Sequence, residues 1–501
     1  MRLPLRPPAL WIAALAALLA LAFLGSRGIW DPDEGRYTNV ALHMLDSGDW
    51  LNPRRNHEVG HWTKPPLTYW AIAASVGAFG AQPWAARLPS ALAYLLCVAL
   101  AWRVARRLAP GAEAQAALAY ATMLVPFGAA QLITTDFLLA AFTGLAVYAF
   151  VEARFGPAAR SVHWLALMWI AFALGFLTKG PPALVGLLVV LAFDRLAPDA
   201  HRHRALHATG LLLFGALALP WYVAVILDHP GLLRYFLGDE LLARVASNEF
   251  GRHGEWYGWL QVYAPTLVLG TLPWTPALWR WATALPAALR RWRIPAARRA
   301  DAPALLLALW VLLPLLLFCL ARSRLPLYVL PLFLPLAVIV ARQRHVEGRA
   351  LPRPRLVLAW ALLLLALKAA SAYWPTHKDA SAWAAAIRAR AGTAVAEVVF
   401  VEDMARYGLH LHLGPGTQIE KVSVEPVPTS AFNPEFDETL AQELAEHEPD
   451  VLWVCKQARW PELRARIEAL GYRADPLGTP YRGRVLFRIT PLRAAHARPR
   501  R

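Results

Sequence analysis

The sequence predicts an α-helical integral membrane protein that ends in a small α/β domain. Of its 501 residues, 57% are hydrophobic and only 17% are charged, whereas a soluble domain is usually about 25% charged. Long apolar runs continue to about residue 373, and short strand-like and helix-like patterns replace them beyond about residue 375. We therefore divide the chain into a transmembrane domain, 1–374, and a carboxy-terminal domain, 375–501.

About eleven apolar runs can cross roughly 30 Å of hydrocarbon, which takes about 20 helical residues each. The first run follows Arg2 and Arg6, as in a signal peptide, but no small-residue cleavage site precedes SRGIWDPDE. We therefore expect a retained anchor helix and a cytoplasmic amino terminus. The predicted spans are 9–25, 84–102, 112–129, 136–152, 162–178, 181–195, 205–227, 259–280, 303–321, 325–341 and 355–373.

Membrane topology explains the net charge of +17. The loops predicted on the cytoplasmic side are rich in arginine, whereas the short loops on the other side contain only Lys179, Arg322 and Arg324. No basic stripe is interleaved with aromatic residues, so we expect membrane lipids and no nucleic acid as partners. An odd number of spans places the carboxy-terminal domain outside, in the periplasm of a Gram-negative host.

Two long segments, 26–83 and 228–258, are predicted on the outer side. The first contains DEGRYTNVALHMLDSG and PPLTYWAIAASVGAFG, whose patterns are typical of amphipathic helices along a membrane surface. In the carboxy-terminal domain, AVAEVVFVED, VLWVCKQ and GRVLFRIT predict strands, while TLAQELAEHE and RWPELRARIEALG predict helices.

Ionisable residues gather at the outer membrane face in this topology. Such groups are costly at membrane depth and therefore suggest a function. Cations can hold a lipid phosphate, and a carboxylate can accept a proton from an attacking hydroxyl. The residues concerned are Asp33, Glu34, Arg36, Lys64, Asp136, Lys179, Arg252, His253, Arg322 and Arg324.

Each of these residues also has a simpler explanation when it is taken alone. Helix capping accounts for Asp33 and Asp136 as well as catalysis does. Lys64 can anchor a surface helix among lipid headgroups, and Arg36 can form a weak surface ion pair with a neighbouring acid. Their joint occurrence on one face favours the functional interpretation.

The order of several motifs resembles a known family. The motifs are DEGRY with LDSGDW, KPPLTYW, WAARLPSAL, TTDFLLA, FLTKGPPAL, GRHGEWYGW and SRLPLYVLPLFLPLA. They resemble the bacterial aminoarabinose transferases that modify lipid A and, more broadly, polyprenyl-phosphate-dependent glycosyltransferases of the GT-C fold, which include protein O-mannosyltransferases. The resemblance covers roughly residues 10–345, and a series of motifs in order is more specific than any one of them.

The resemblance implies roles for individual residues. Asp33 matches the carboxylate that acts as general base or orients the acceptor, and Glu34 and Arg36 complete its motif. Lys64 matches the lysine that binds the lipid-linked phosphate, and Asp136 matches a second acid near the same cavity. Further phosphate contacts are implied for Arg252 and Tyr328.

One position departs from the family pattern. Thr63 stands where the aminoarabinose transferases have a glutamate, which leaves open a divalent metal cofactor and the identity of the donor sugar. The predicted reaction transfers a sugar from undecaprenyl phosphate to lipid A, another glycan or a protein at the periplasmic face of the inner membrane, with inversion. We expect a monomer.

Three other functions remain as alternatives. The nearest is an enzyme like the protein O-mannosyltransferases. A transporter or lipid flippase would carry its charges at the membrane midplane within repeated, interrupted helices. A catalytically inactive scaffold is disfavoured because Asp33 and Lys64 are both present.

Overall fold

The computed structural model describes residues 7–199, 203–243, 253–392, 395–428 and 430–492. Up to residue 371 the regular secondary structure of the described residues is helical. The helices are α1 Pro7–Leu21, α2 Asp33–Ser47, α3 Leu67–Phe79, α4 Pro83–Leu108, α5 Glu113–Thr122, α6 Leu124–Ala129, α7 Thr135–Phe155, α8 Ser161–Lys179, α9 Val185–Leu196, α10 Ala208–Asp228, α11 Leu232–Tyr235, α12 Gly258–Gly270, α13 Thr275–Arg291, α14 Pro295–Ala300, α15 Ala302–Leu320, α16 Phe333–Val346 and α17 Pro354–Ser371.

Seven helical segments among the described residues are long and apolar enough to cross a membrane. The other four predicted spans are shorter or interrupted. The helix α1 has only 15 residues, and the backbone is extended at Met123, which separates α5 from α6. The run 181–195 begins with a 3₁₀ turn, and the run 259–280 is divided between α12 and α13. The count of about eleven spans therefore stays a prediction. The seven segments are Pro83–Leu108, Thr135–Phe155, Ala158–Lys179, Ala208–Asp228, Ala302–Leu320, Pro326–Val346 and Pro354–Ser371.

The chain forms two compact units. The first, here called the helical unit, consists of the residues up to Leu24 together with Lys64–Thr68 and Arg87–Ala370. The second, here called the sheet unit, consists of Gly25–Thr63, Tyr69–Ala86 and the residues from Ser371 onwards. The first outer segment therefore clusters mostly with the carboxy-terminal part of the chain, although the sequence groups it with the transmembrane domain.

Small residues let the helices of the helical unit approach one another closely. The helix α5 reads EAQAALAYAT, and its residues 115–122 are all buried. Without a hydrophobic driving force in lipid, close van der Waals packing of this kind is what holds helices together. The larger side chains Tyr94, Tyr120, Phe137 and Phe172 fill the same core.

A six-stranded mixed sheet forms the centre of the sheet unit. Its strands are β1 Glu397–Val401, β2 Gln418–Ser423, β3 Glu438–Thr439, β4 Val451–Lys456, β5 Tyr472–Pro476 and β6 Arg484–Pro491, in the order β3-β2-β1-β4-β6-β5. The strands β1 to β4 pair in parallel, and β6 pairs antiparallel with β4 and β5. The helices are α18 Ala380–Ala391, α19 Leu409–Leu413, α20 Leu440–Glu446 and α21 Trp460–Ala469.

Alternation along the strands gives this sheet two buried faces. Val398 and Phe400 pack with Ile387 of α18 on one face. On the other face, the intervening residues of β1 pack with Leu440 of α20 and Leu463 of α21. The three strands and two helices predicted for the carboxy-terminal domain are confirmed, whereas β2, β3, β5, α18 and α19 were not predicted.

Candidate active site

The motif DPDEGR places its charged side chains in two different environments. Asp33 and Glu34 lie in the first turn of α2, where the positive end of the helix dipole favours negative charge. The residue before the helix is Pro32, and no side chain caps the first turn, so Asp33 is not the helix cap. Asp33 is exposed, and neither Asp33 nor Arg36 has an ion pair with another residue in the described part of the chain.

Glu34 forms a buried ion pair with Arg27. The guanidinium donates two hydrogen bonds to the carboxylate, at 2.6 and 2.9 Å, and the two side chains are 6% and 3% exposed. The amide of Trp30 donates a third bond at 2.9 Å, and Arg27 also lies 4.1 Å from the centre of the Trp30 ring. These contacts saturate Glu34 and leave Asp33 as the accessible carboxylate of the predicted pair.

A third acid, Asp31, is buried in the same motif and was not predicted from sequence. Its Oδ1 accepts a hydrogen bond of 3.0 Å from the amide of Gly408. Burial raises the pKa of Asp31 to about 8, although the Gly408 bond and the nearby Arg406 act against that increase. Gly35 is required here because a Cβ at that position would lie 1.8 Å from Asp31 Oδ1. Asp31 thus holds the DPDEGR motif against Gly408 within the sheet unit.

Lys64 lies in the helical unit and pairs with a glutamate that sequence analysis did not select. Its Nζ is 3.2 Å from Oε2 of Glu240, and the two side chains are 13% and 14% exposed. Oε1 of Glu240 accepts a hydrogen bond of 3.2 Å from the hydroxyl of Tyr235. Glu240 belongs to the π-helical turn Phe236–Ala243, in the second outer segment. The signal in the sequence was one acid pair, Asp239 and Glu240, between apolar residues.

Asp136 is buried and forms a second ion pair in the helical unit, with Lys179. Thr134 caps α7 by accepting a hydrogen bond from the amide of Asp136, so the Asp136 carboxylate is not itself the cap. The Lys179 ammonium lies 4.5 Å from the centre of the Tyr328 ring, a cation–π distance. The structure therefore joins Asp136 to Tyr328 through Lys179.

The remaining arginines fall into three cases. Arg252 lies outside the described residues. Arg324 is buried and donates to the carbonyls of His253, Glu255 and Cys319, so it holds the chain around residue 253 in place. Arg322 is exposed.

Asp33 belongs to the sheet unit, whereas Lys64 and Asp136 belong to the helical unit, and the convergence of these three residues stays a prediction.

Comparison with known proteins bears on this arrangement. The family described as "Dolichyl-phosphate-mannose-protein mannosyltransferase" matches residues 63–223. The undecaprenyl phosphate-alpha-4-amino-4-deoxy-L-arabinose arabinosyl transferase of Pseudomonas aeruginosa (strain UCBPP-PA14) is 34% identical over 74% of this chain and 66% of its own length. The chain thus spans just under two thirds of that relative. The enzyme of the same name from Aeromonas salmonicida (strain A449) is 32% identical over 79% of this chain and 73% of its own length.

The chain belongs to this family of undecaprenyl phosphate-aminoarabinose arabinosyl transferases. The crystal structure of ArnT from Cupriavidus metallidurans bound to undecaprenyl phosphate has the same fold, with a TM-score of 0.76 at 20% sequence identity. The match covers 95% of this chain and 97% of that one. The present chain is therefore a multi-pass membrane protein of the GT-C fold with a small carboxy-terminal sheet domain, as the sequence predicts.

Proposed function

We propose that this chain transfers a sugar, 4-amino-4-deoxy-L-arabinose, from undecaprenyl phosphate to lipid A. The family membership carries this proposal, because relatives that share about a third of their residues with this chain bear that donor in their names. The proposal places the reaction at the periplasmic face of the bacterial inner membrane. It also places the amino terminus in the cytoplasm and the carboxy-terminal domain in the periplasm.

The leaving group in this reaction is a lipid phosphate, and Lys64 is the cation that we assign to it. A partly exposed ammonium that already holds a carboxylate can exchange that carboxylate for a phosphate at small cost, because neither partner is deeply buried. In the transition state the ammonium stabilises the negative charge that develops as the glycosidic bond to phosphate breaks. Glu240 is then the group that the lipid phosphate displaces.

Asp33 is the residue that we assign to the acceptor. An exposed carboxylate can accept the proton of an attacking hydroxyl, or orient a phosphate acceptor through a bound proton or cation. Glu34 does not share this role, because Arg27 and the Trp30 amide occupy its oxygens, and we assign it to positioning the loop. Asp136, Arg252, Arg36 and Tyr328 keep the roles that the family resemblance implies, at the acceptor and the phosphate.

The residues around Thr63 bear on whether the transfer depends on a metal ion. Thr63 replaces the family glutamate, and its hydroxyl lies 2.9 Å from Nε2 of His61. A hydroxyl and an imidazole are weaker ligands for a hard cation than the carboxylate that they replace. We therefore propose that the step proceeds with protein cations alone, and an unchanged transfer rate in a chelator would support this.

The deciding experiment is deletion of the gene followed by mass spectrometry of lipid A and of surface glycans. We expect the loss of one aminoarabinose from lipid A, restored by the wild-type chain and by Glu425→Gln, an exposed glutamate of the sheet unit, but not by Asp33→Asn. Unchanged lipid A with an unmannosylated protein would favour the protein mannosyltransferase alternative, which the match over residues 63–223 supports. An unchanged lipid and glycan profile with altered solute uptake would favour a transporter.

A further inference from the structure

Three glutamates of the sheet unit meet between the sheet and the helix α20. Glu397 begins β1, Glu420 lies in β2 and Glu443 lies in α20. One carboxylate oxygen from each lies within 4.8 Å of the others, and Glu397 and Glu443 are buried. We call these residues the glutamate cluster. The cluster lies outside the proposed active site.

Burial of three acids together is costly unless something compensates their charge. Burial and, to a lesser extent, neighbouring carboxylates raise the pKa of Glu397 to about 9 and that of Glu420 to about 8. The pKa of Glu443 rises to about 11 for the same reasons, with a hydrogen bond to Glu438 adding to the effect. Either protons or a cation must therefore reside among these oxygens.

Gln418 supplies an independent observation that favours a cation. Its Cα is the register partner of Glu397, and it precedes Glu420 by two residues in β2, so all three side chains leave the same face of the sheet. Gln418 is 7% exposed, and its buried Oε1 accepts no hydrogen bond from any residue in the described ranges. An unpaired carbonyl oxygen that leaves the same sheet face as Glu397 and Glu420 adds to a set of oxygen ligands suited to a hard metal ion.

We propose that the glutamate cluster and Gln418 Oε1 bind one divalent cation, with Ca²⁺ as the ion that fits best. Ca²⁺ takes six to eight oxygen ligands at about 2.3–2.6 Å, so ligands on opposite sides of the ion lie about 5 Å apart. The spread of the glutamate oxygens fits that span. The ligand set contains neither sulfur nor imidazole, which disfavours Zn²⁺.

The cation would tie α20 and β2 to β1. The strand β3 follows directly from Asp437, whose Oδ1 accepts a hydrogen bond of 2.8 Å from Nε of Arg55 in the first outer segment. Asp437 Oδ2 also accepts a bond of 2.7 Å from the amide of Lys421 in β2. A bound cation would therefore stabilise β2, which holds Asp437 and, through Asp437, Arg55. Arg55 belongs to residues 54–61, which come just before Lys64 in the chain. This proposal does not depend on the proposed transferase activity.

The test uses the purified full chain in detergent, freed of metal by a chelator and titrated calorimetrically with Ca²⁺ or Mg²⁺ alone. We expect saturable uptake of one ion per chain, and at least a 10-fold loss of affinity in Glu420→Gln. The control, Glu462→Gln, changes an exposed glutamate of α21 and should bind as the wild type does. No saturable uptake of either ion, or equal uptake in wild type and Glu420→Gln, would overturn the proposal.

Thermal unfolding provides a second readout that a folding defect cannot imitate. Without metal, Glu443→Gln should raise the unfolding midpoint because it removes one of the crowded acids. With millimolar Ca²⁺ the wild-type midpoint should rise by several degrees, and the variant should gain less. If the carboxylates are instead held by protons, Ca²⁺ will leave both midpoints unchanged and the cation site is refuted.

Discussion

The ion pairs of the two units differ in how firmly they are held. In the sheet unit, Arg27 and Glu34 are buried, joined by two hydrogen bonds, and bound further by a backbone amide. In the helical unit, the Lys64 ammonium lies 3.2 Å from Oε2 of Glu240, and the two side chains are 13% and 14% exposed. A buried, saturated pair fixes a loop, whereas a partly open pair can change partners. We therefore propose that a basic–acidic pair serves as scaffold in the sheet unit and as an exchangeable site in the helical unit.

Breaking the buried pair should have the largest effect on stability. We expect Arg27→Met to lower the free energy of unfolding by about 3–5 kcal/mol, because Glu34 would remain charged and buried without its partner. Chemical denaturation of the detergent-solubilised chain, followed by tryptophan fluorescence, measures this. The double change Arg27→Met with Glu34→Met should recover most of the loss. A loss below about 1 kcal/mol in the single variant would show that the pair is not the scaffold described.

Breaking the pair between Lys64 and Glu240 should instead reduce activity. Lys64→Met should lower the rate of sugar transfer by about 10²–10³-fold, since one contact to a developing oxyanion is worth that much, while stability changes little. Transfer of labelled sugar from undecaprenyl phosphate to lipid A measures the rate. Lys456→Met, at an exposed lysine that ends β4, is the matched control. Glu240→Gln sharpens the comparison, because an exchangeable partner can be neutralised with only a few-fold change in rate.

The local patterns in the sequence predicted helices and the clearest strands, and they failed where charges lie within a strand. The strand β2 reads QIEKVS, and its Glu420 and Lys421 interrupt the kind of continuous apolar run that marks β1 and β4. Glu420 belongs to the glutamate cluster, and the Lys421 ammonium pairs with Glu435 and lies 4.1 Å from the centre of the Phe436 ring. The two-residue β3 is too short for any pattern.

The candidate site was predictable in part. Lys64 and Asp136 stand out because they are ionisable residues beside apolar runs, and the structure gives each an ion partner. The partner of Lys64 is 176 positions away, and such distant pairing leaves no local signal. Asp31 and Glu34 were equally invisible as scaffold residues, since only the fold shows which acid of DPDEGR points inward.

Gly35 tests how tightly the acidic motif is fastened within the sheet unit. Gly35→Ala should lower the free energy of unfolding by about 1–3 kcal/mol, because the new Cβ would overlap Asp31 Oδ1 and crowd the Gly408 amide. The same denaturation assay measures it. Gly128→Ala in α6 is the control, since no atom lies within 4 Å of the Cβ that it adds. Equal stability of the two variants would contradict the close approach.

The smallest expected effect is the contribution of Asp31 to the pH dependence of the free energy of unfolding. Asp31 has a pKa of about 8 when folded and about 4 when unfolded, so between these values the folded state holds one proton more than the unfolded state. The free energy of unfolding then falls as pH rises, by up to about 1.4 kcal/mol per pH unit until the pH passes 8. In the metal-free chain, Glu397 and Glu420 add to the slope in the same direction. Denaturation of wild type and Asp31→Asn between pH 6.5 and 8 isolates the share of Asp31.

The result is the difference between the wild type and Asp31→Asn in how steeply the free energy of unfolding falls with pH. Asp31→Asn should reduce the decline in stability by up to about 2 kcal/mol over that interval, because the amide keeps the acceptor for Gly408 but cannot ionise. His43, whose pKa burial lowers to about 3, contributes equally to the wild type and to Asp31→Asn, so it cancels in this comparison. If Asp31→Asn declines as steeply as the wild type, Asp31 is ionised in the folded chain, and its buried position does not hold a proton as the structure indicates.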